Sequence, residues 1–383
     1  MKVTADASAI KKALDILRPG GTNRWITPAE RGVKIEARGK GVLEATTTDL
    51  DHWESVRILG QQVEGTGSVL LPWAQLRKVL GVMKHDTITL AQEDDAMVIT
   101  SGDVSMRLAV LRDYTKKGGN VKHPAEFPAS PPRPKDATPI RLHLGALAEC
   151  AKFTSPDEYR PVLGCVYYDA GSYVATDSYR LSLVEVPEGA ADLQFLIPRA
   201  AHRAIARLGS GKFIDAWVSP DPQAVGAMLW IDFGDASLAA KLQEGQFPVY
   251  RTLIDGAGRS GGLKATQQIR DAALRIHRLI KACGSDSYEL NNPVKIEQVG
   301  DRVVLAAKVG NNTIEIKAMG GVEVSAAFNP RYLAEFFEGT NVDTIFGADS
   351  IKPWGLEEPA DYCAGAKRTR LLMPTRIHDR NDW

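Results

Sequence analysis

Three times along the chain, a strand end runs through a proline into a short helical pattern. The segments are Leu70-Leu71-Pro72-Trp73-Ala74-Gln75-Leu76-Arg77-Lys78-Val79-Leu80, Leu196-Ile197-Pro198-Arg199-Ala200-Ala201-His202-Arg203-Ala204-Ile205-Ala206 and Phe328-Asn329-Pro330-Arg331-Tyr332-Leu333-Ala334-Glu335-Phe336-Phe337. The prolines are 126 and 132 residues apart, close to one third of the 383-residue chain. Proline suits the first helical turn, where its missing N–H would be unpaired anyway. Another strand follows each helix: Thr87-Ile88-Thr89-Leu90, Ala216-Trp217-Val218 and Asp343-Thr344-Ile345-Phe346. A repeat of this period restricts the fold to tandem copies of one unit.

Each third also opens with an amphipathic helix, over 7–18, 144–153 and 267–283. In the first, Ile10, Ala13, Leu14 and Leu17 recur at the spacing of a helix that buries one face. Between helices the pattern changes to period two, as in Val33-Lys34-Ile35-Glu36-Ala37 and Thr313-Ile314-Glu315-Ile316-Lys317, with hairpin turns at Gly300-Asp301 and Gly310-Asn311-Asn312. The expected class is α+β: three topologically similar domains, each with two helices packed on antiparallel sheets.

Punctuation between the repeats fixes the expected boundaries. Six prolines fall between Pro124 and Pro139, which reads as an extended linker, and four glycines lie between Asp255 and Gly262. The expected domains are 1–122, 140–256 and 257–377, with a linker at 123–139 and an extension at 378–383. No apolar run approaches a membrane span and the N-terminus lacks a signal-peptide core, so a soluble, cytoplasmic chain is expected. Cys150, Cys165, Cys283 and Cys363 lie far apart, as buried thiols in a reducing compartment would, with no metal-site or disulfide spacing.

Forty-seven basic and 47 acidic residues balance, so any nucleic-acid role must come from local charge. On a helix over 198–208, Ala201, Ile205 and Leu208 form the buried stripe, and Arg199, His202, Arg203 and Arg207 share the opposite face. In the helix over 267–283, Ile269, Ala273, Ile276 and Ile280 face inward, and Arg270, His277, Arg278 and Lys281 outward. Arg77, Lys78 and Lys84 repeat the scheme, and Lys11 and Arg18 do so more weakly. Any single exposed helix carries such cations, but their recurrence on equivalent helices would line one surface. No aromatic residues interleave with them, so contact with duplex phosphates is expected rather than base stacking on single strands.

Motifs for chemistry are missing: no phosphate loop, no dinucleotide fingerprint, no zinc-protease helix and no nucleophile elbow. Asp49, Asp51 and His52 could be imagined as nuclease metal ligands. Thr46-Thr47-Thr48-Asp49 has a counterpart in Ala175-Thr176-Asp177, however, and each joins two strands, which makes Asp a turn residue. No cofactor and no metal is expected.

Four segments, in order, resemble the bacterial sliding clamp family, the β subunit of DNA polymerase III: Arg160-Pro161-Val162-Leu163, Ala175-Thr176-Asp177-Ser178-Tyr179-Arg180-Leu181, Gly245-Gln246-Phe247-Pro248-Val249-Tyr250-Arg251 and Leu371-Leu372-Met373-Pro374-Thr375-Arg376-Ile377. The resemblance implies the DNA clamp fold, each chain forming half of a closed homodimeric ring around duplex DNA. It implies a non-catalytic processivity factor, nucleoid-associated, with the replicative polymerase, clamp loader and repair proteins as partners. Facing DNA would be Lys11, Arg18, Arg24, Arg77, Lys78, Arg199, Arg203, Arg207, Arg270, Arg278 and Lys281. A peptide-binding pocket would be formed by Leu163, Thr176, Tyr179, Arg180, Leu181, Pro248, Leu253, Ile351, Leu371, Leu372, Met373 and Pro374. At the dimer interface, Met106 and Leu108 would meet Ile280 of the other copy.

The chain departs from the family where Ser178-Tyr179 replaces the usual Gly-His and Val249-Tyr250-Arg251-Thr252 the frequent Asp-Tyr-Arg-Arg. Six residues also follow Ile377, and this tail would modulate or occlude the pocket. These departures fit a divergent or phage-encoded member. Two rivals stand beside this reading: a clamp-fold protein with an inhibitor- or partner-binding role outside replication, and a metal-dependent nucleic-acid enzyme using Asp49, Asp51 and Asp177.

Overall fold

The computed structural model describes residues 1–20, 27–83, 86–112, 125–257, 262–284, 292–323, 325–346 and 352–375. Among them are eight α-helices: α1 (Ala7–Ile16), α2 (Pro28–Arg31), α3 (Trp73–Val82), α4 (Leu144–Ala151), α5 (Arg199–Leu208), α6 (Tyr250–Gly256), α7 (Gln267–Cys283) and α8 (Pro330–Phe337). The strands among these residues form four antiparallel sheets of five, eight, eight and four strands. The chain divides into two compact units, Met1–Leu144 with Pro198–Glu244 and Gly145–Ile197 with Gly245–Trp383.

The first unit holds the five-stranded sheet and one eight-stranded sheet. Asp6 starts α1 by accepting hydrogen bonds from Ser8 N (2.7 Å) and Ala9 N (3.3 Å), which satisfies two otherwise orphaned donors. The predicted stripe Ile10, Ala13, Leu14 and Leu17 is fully buried in one core with Leu76, Val79 and Leu80 of α3. The eight-stranded sheet runs Thr138–His143, Phe213–Val218, Met228–Asp232, Ala236–Lys241, His52–Ile58, Val42–Thr48, Gly32–Gly39 and Gly67–Pro72. Its seam is the pairing of Ala236–Ala240 with His52–Val56, strands far apart in sequence. Helix α5 packs across that seam, on both strands.

The second unit repeats the plan with its own eight-stranded sheet, whose seam pairs Arg180–Glu185 with Lys367–Leu372, and a four-stranded sheet. Two-residue turns at Gly300-Asp301 and Gly310-Asn311 close the predicted hairpins, each with its glycine at positive φ (61° and 58°). Helices α7 and α8 pack together over a core that contains Ile269, Ala273, Ile276, Phe328, Phe336 and Trp354.

A buried ionic network ends α8. Arg370 Nη1 donates to the carbonyls of Glu335 (2.9 Å), Phe336 (2.9 Å) and Glu338 (2.8 Å), a side-chain cap for a helix C-terminus. Glu149 of α4 neutralises it, accepting from Arg370 Nη2 (3.0 Å) and Arg368 Nη1 (3.0 Å). Burial opposes ionisation of Glu149, but the two guanidiniums outweigh it and hold the carboxyl below its ordinary pKa.

The structure differs from the sequence expectation in several places. The proline-rich stretch gives way at Thr138 to a strand, and Pro139 sits within it; the strand is at a sheet edge, where a missing N–H is tolerated. Helix α6 runs up to the glycine-rich break, ending at Gly256, and neither it nor α2, with a capping box between Thr27 and Glu30, was expected. Cys150 and Cys165 are buried, but Cys283, at the last residue of α7, is exposed.

Candidate functional site

Two turns of the same design carry the aspartates singled out in the sequence. In the first, Thr48 Oγ1 donates to His52 O (2.7 Å) and accepts from Leu50 N (2.9 Å), while Asp49 Oδ1 accepts from Asp51 N (3.1 Å) and His52 N (2.7 Å). In the second, Thr176 Oγ1 donates to Arg180 O (2.7 Å) and accepts from Ser178 N (3.2 Å), while Asp177 Oδ1 accepts from Tyr179 N (2.9 Å) and Arg180 N (3.1 Å). Leu50 and Ser178, at equivalent positions, both have positive φ, 75° and 81°. Asp49 and Asp177 are thus occupied by backbone amides and by the His52 and Arg180 side chains. Among the described residues no cluster of three His, Cys, Asp or Glu could hold a metal ion.

The second turn adjoins the residues that the resemblance assigns to a peptide pocket. Met373 N donates to Tyr179 O (2.8 Å), extending the seam ladder and setting the strand ends 179–181 and 371–373 side by side. Leu181 and Leu371 face each other across the ladder and share a cluster with Phe247, Tyr250 and Ala257, against which Val162, Ile254 and Phe346 pack. Tyr250 donates to Asp169 Oδ2 (2.6 Å), fastening the 245–251 segment over this floor. Above it, Tyr179, Val249 and Leu253 are exposed at 61%, 68% and 50%, Pro248 is exposed, and Met373 and Pro374 are half-buried. Leu163 is half-buried in the tight turn Pro161–Gly164.

Arg180 does not present its charge. It is buried, donates from Nε to Asp177 Oδ2 (3.0 Å) and from Nη2 to Lys152 O (2.7 Å), and pairs with Glu335. Its guanidinium lies 4.4 Å from the Tyr332 ring centroid, and that ring stacks on Tyr179 (centroids 6.4 Å apart, 26° between planes). Arg180 is therefore a positioning residue beneath an aromatic pair. Tyr332 was missed in the sequence because nothing in the period of α8 marks it; only its neighbour across space does. Leu372 is a correction: it belongs to the core with Phe328 and Trp354, because adjacent strand residues point to opposite faces. Ile351 lies outside the described residues.

The cations divide in the same way. Lys11, Arg18, Arg77, Lys78, Arg203, Arg278 and Lys281 are exposed, Arg199 is half-buried, and Arg24 and Lys84 lie outside the described residues. Arg18 and Arg77 flank the Trp73 ring at 5.9 and 5.6 Å, and Arg77 Nε also binds Asp15 (2.5 Å). Arg207, expected on the solvent face, instead donates to buried Glu54 Oε1 (2.5 Å) and to Ile16 O (3.3 Å). Arg270 is a clearer correction. It is 7% exposed, and Nη1 donates to Ala265 O (2.7 Å) and Val342 O (2.6 Å), carbonyls that burial would otherwise leave unpaired. His202 is buried as well, next to Ala201 and one turn before Ile205, on the inner edge of α5.

Of the expected interface residues, Met106 is 38% exposed, whereas Leu108 and Ile280 are buried in the cores of their own units. What the first unit exposes is a groove of about 360 Å³ lined by Val79, Val82, Met83, Val104 and Met106, with Ser101 and Asp103. On α7 the large apolar side chain left exposed is Leu279, beside the buried Ile280.

No family model matches the chain. The beta sliding clamp of Caulobacter vibrioides is 26% identical, covering 98% of this chain and 100% of the relative, and that of Synechocystis is 25% identical with the same coverage. Among solved structures, a sliding clamp from Bartonella birtlesii bound to griselimycin is similar at a TM-score of 0.78 and 22% identity, covering 98% of this chain and 100% of the neighbour. The Caulobacter crescentus beta sliding clamp gives a TM-score of 0.77 at 23% identity, with the same coverage. Coverage is near-complete in both directions, and the repeated strand–proline–helix unit and the Thr-Asp turn beside the Leu371–Pro374 strand end go with it: over nearly its whole length the chain is similar to bacterial β sliding clamps and shares their fold.

Proposed function

We propose that two copies of this chain close head to tail into a ring around duplex DNA and, without catalysing a reaction, hold the replicative polymerase to its template. Three domains per copy, over 1–122, 140–256 and 257–377 with 123–139 linking the first two, would place six equivalent units around the hole. The supporting observation is the recurrence of exposed cations on two pairs of equivalent helices, α1 with α7 and α3 with α5, although the third post-proline helix, α8, carries Glu335 and the chain has no net charge. Weak, sequence-independent contact with phosphates is what sliding requires, and topology rather than affinity would supply retention.

The partners fall under the same proposal. The exposed Tyr179, Val249, Leu253 and Pro248 over an apolar floor suit a short peptide that buries leucine or phenylalanine side chains, as the polymerase, clamp loader and repair factors would present. Structural neighbours bound to griselimycin support a ligand site on this fold. The groove beside Met106 in one copy and Leu279 of the other are the apolar surfaces available for closing the ring. The proposed setting is the cytoplasm, on the nucleoid. The test is primer extension by a cognate bacterial polymerase III core with its loader on singly primed circular DNA. Long products that depend on this chain are expected; short, distributive products at every clamp concentration would reject the reading.

A further inference from the structure

The outer face of the eight-stranded sheet in the first unit carries a row of tryptophans that the clamp reading does not use. Trp217 pairs with Trp230, Trp230 with Ala239, and Ala239 with Trp53, so the three rings stand on one face across four adjacent strands. Across this row lies the proline-rich segment 125–137. Trp53 Nε1 donates to Pro128 O (3.0 Å), Trp230 Nε1 donates to Pro131 O (3.0 Å), and the Arg133 guanidinium sits 3.8 Å from the Trp217 ring centroid. Phe127 packs into the small cluster of Trp53, Met228 and Ala239 beneath.

The spacing has a physical basis. A polyproline chain advances about 9 Å in three residues. Trp53 and Trp230 are two strands apart, and two steps between neighbouring strands cover about 9.5 Å. Residues 128 and 131 therefore fall in register with alternate strands, each offering a carbonyl to an indole N–H. Flat aromatic rings with one donor apiece are the usual means of reading an extended proline-rich chain, whose carbonyls have no internal partners.

We propose that Trp53, Trp230 and Trp217 form a polyproline-binding site whose resident ligand is the chain's own segment 125–137. Seated there, the segment crosses the seam between strands His52–Ile58 and Ala236–Lys241, in that sheet the one pairing that joins strands before residue 73 to strands after residue 137. The segment is thus a clasp on the seam, and a proline-rich peptide with the same three-residue spacing is the class of ligand that competes with it.

Hydrogen exchange read by mass spectrometry on the free full-length chain tests this without DNA or polymerase, so its outcome is separate from that of the clamp assay. Two variants bracket the contact: Trp53→Phe with Trp230→Phe, which keeps the rings and removes both donors, and Pro131→Gly with Pro132→Gly, which leaves the ladder intact. Each should speed exchange of 52–58 and 236–241 roughly tenfold, with strands 294–299 and 302–309 unchanged. A synthetic peptide of residues 125–137, added in excess to the second variant, should restore protection. Wild-type exchange at the seam in both variants, equal acceleration in every sheet, or a peptide without effect would each overturn the proposal.

Discussion

At the scale of the residue, the turn Thr176–Arg180 concentrates what distinguishes this chain. Ser178 holds φ 81°, a conformation that costs an L side chain energy and glycine nothing. Ser178→Gly is expected to stabilise the protein by roughly 0.5–1 kcal/mol, seen as a small rise in melting temperature; a fall would mean that the serine side chain compensates for its backbone. Tyr179, next in line, stacks on Tyr332. Tyr179→Ala, Tyr332→Ala and Met373→Ala should each weaken binding of a clamp-binding peptide by about 1–3 kcal/mol, measurable by calorimetry with the fold intact. Leu181→Ala would confound binding with stability, because Leu181 is 2% exposed and packs in the core cluster with Leu371, Phe247 and Tyr250.

Among the elements, the α8 C-terminus depends on a charge balance. Glu149 titrates below the ordinary glutamate value of 4.5, so its contribution to stability is complete above that pH and is lost as pH falls through the lower folded value. Acid unfolding of the second unit should begin in that window. Glu149→Gln should remove this part of the acid dependence and cost about 3 kcal/mol at neutral pH, since Arg370 would then be buried without a counter-charge. Urea melts at pH 7 and pH 4 check both signs. Arg207 gives the complementary case in the first unit: its partner Glu54 is buried, so Arg207→Glu should destabilise the fold instead of acting on DNA alone.

For the whole molecule, the decisive quantity is the solution mass. Light scattering at micromolar concentration should give twice the 41.6 kDa chain mass, and Met106→Glu should shift the balance toward monomer. A wild-type monomer across a concentration series would remove the ring. Arg203→Glu, on an exposed position of α5, should lower loading on DNA and leave peptide affinity unchanged; equal loss of both would place Arg203 elsewhere than on a DNA-facing surface.

The sequence by itself determined the amphipathic helices of each repeat and the hairpins, because a period of 3.6 or 2 states which residues of one element share a face, as Ile10, Ala13 and Leu14 or the Gly300-Asp301 turn show. It also determined the Thr-Asp turns, whose hydrogen bonds close within five residues. Tertiary structure alone decided the depth of a position and its partner across a seam. Arg270 and His202 read as solvent-facing until folding buries them, Arg270 against the carbonyls of Ala265 and Val342, whereas Ile280, which the helix period places inward, is indeed in the core of its own unit although the resemblance implied an interface position. The strand partners at 52–58 with 236–241 and 180–185 with 367–372 were equally illegible, because backbone hydrogen bonds carry no sequence label and any extended edge can pair with another.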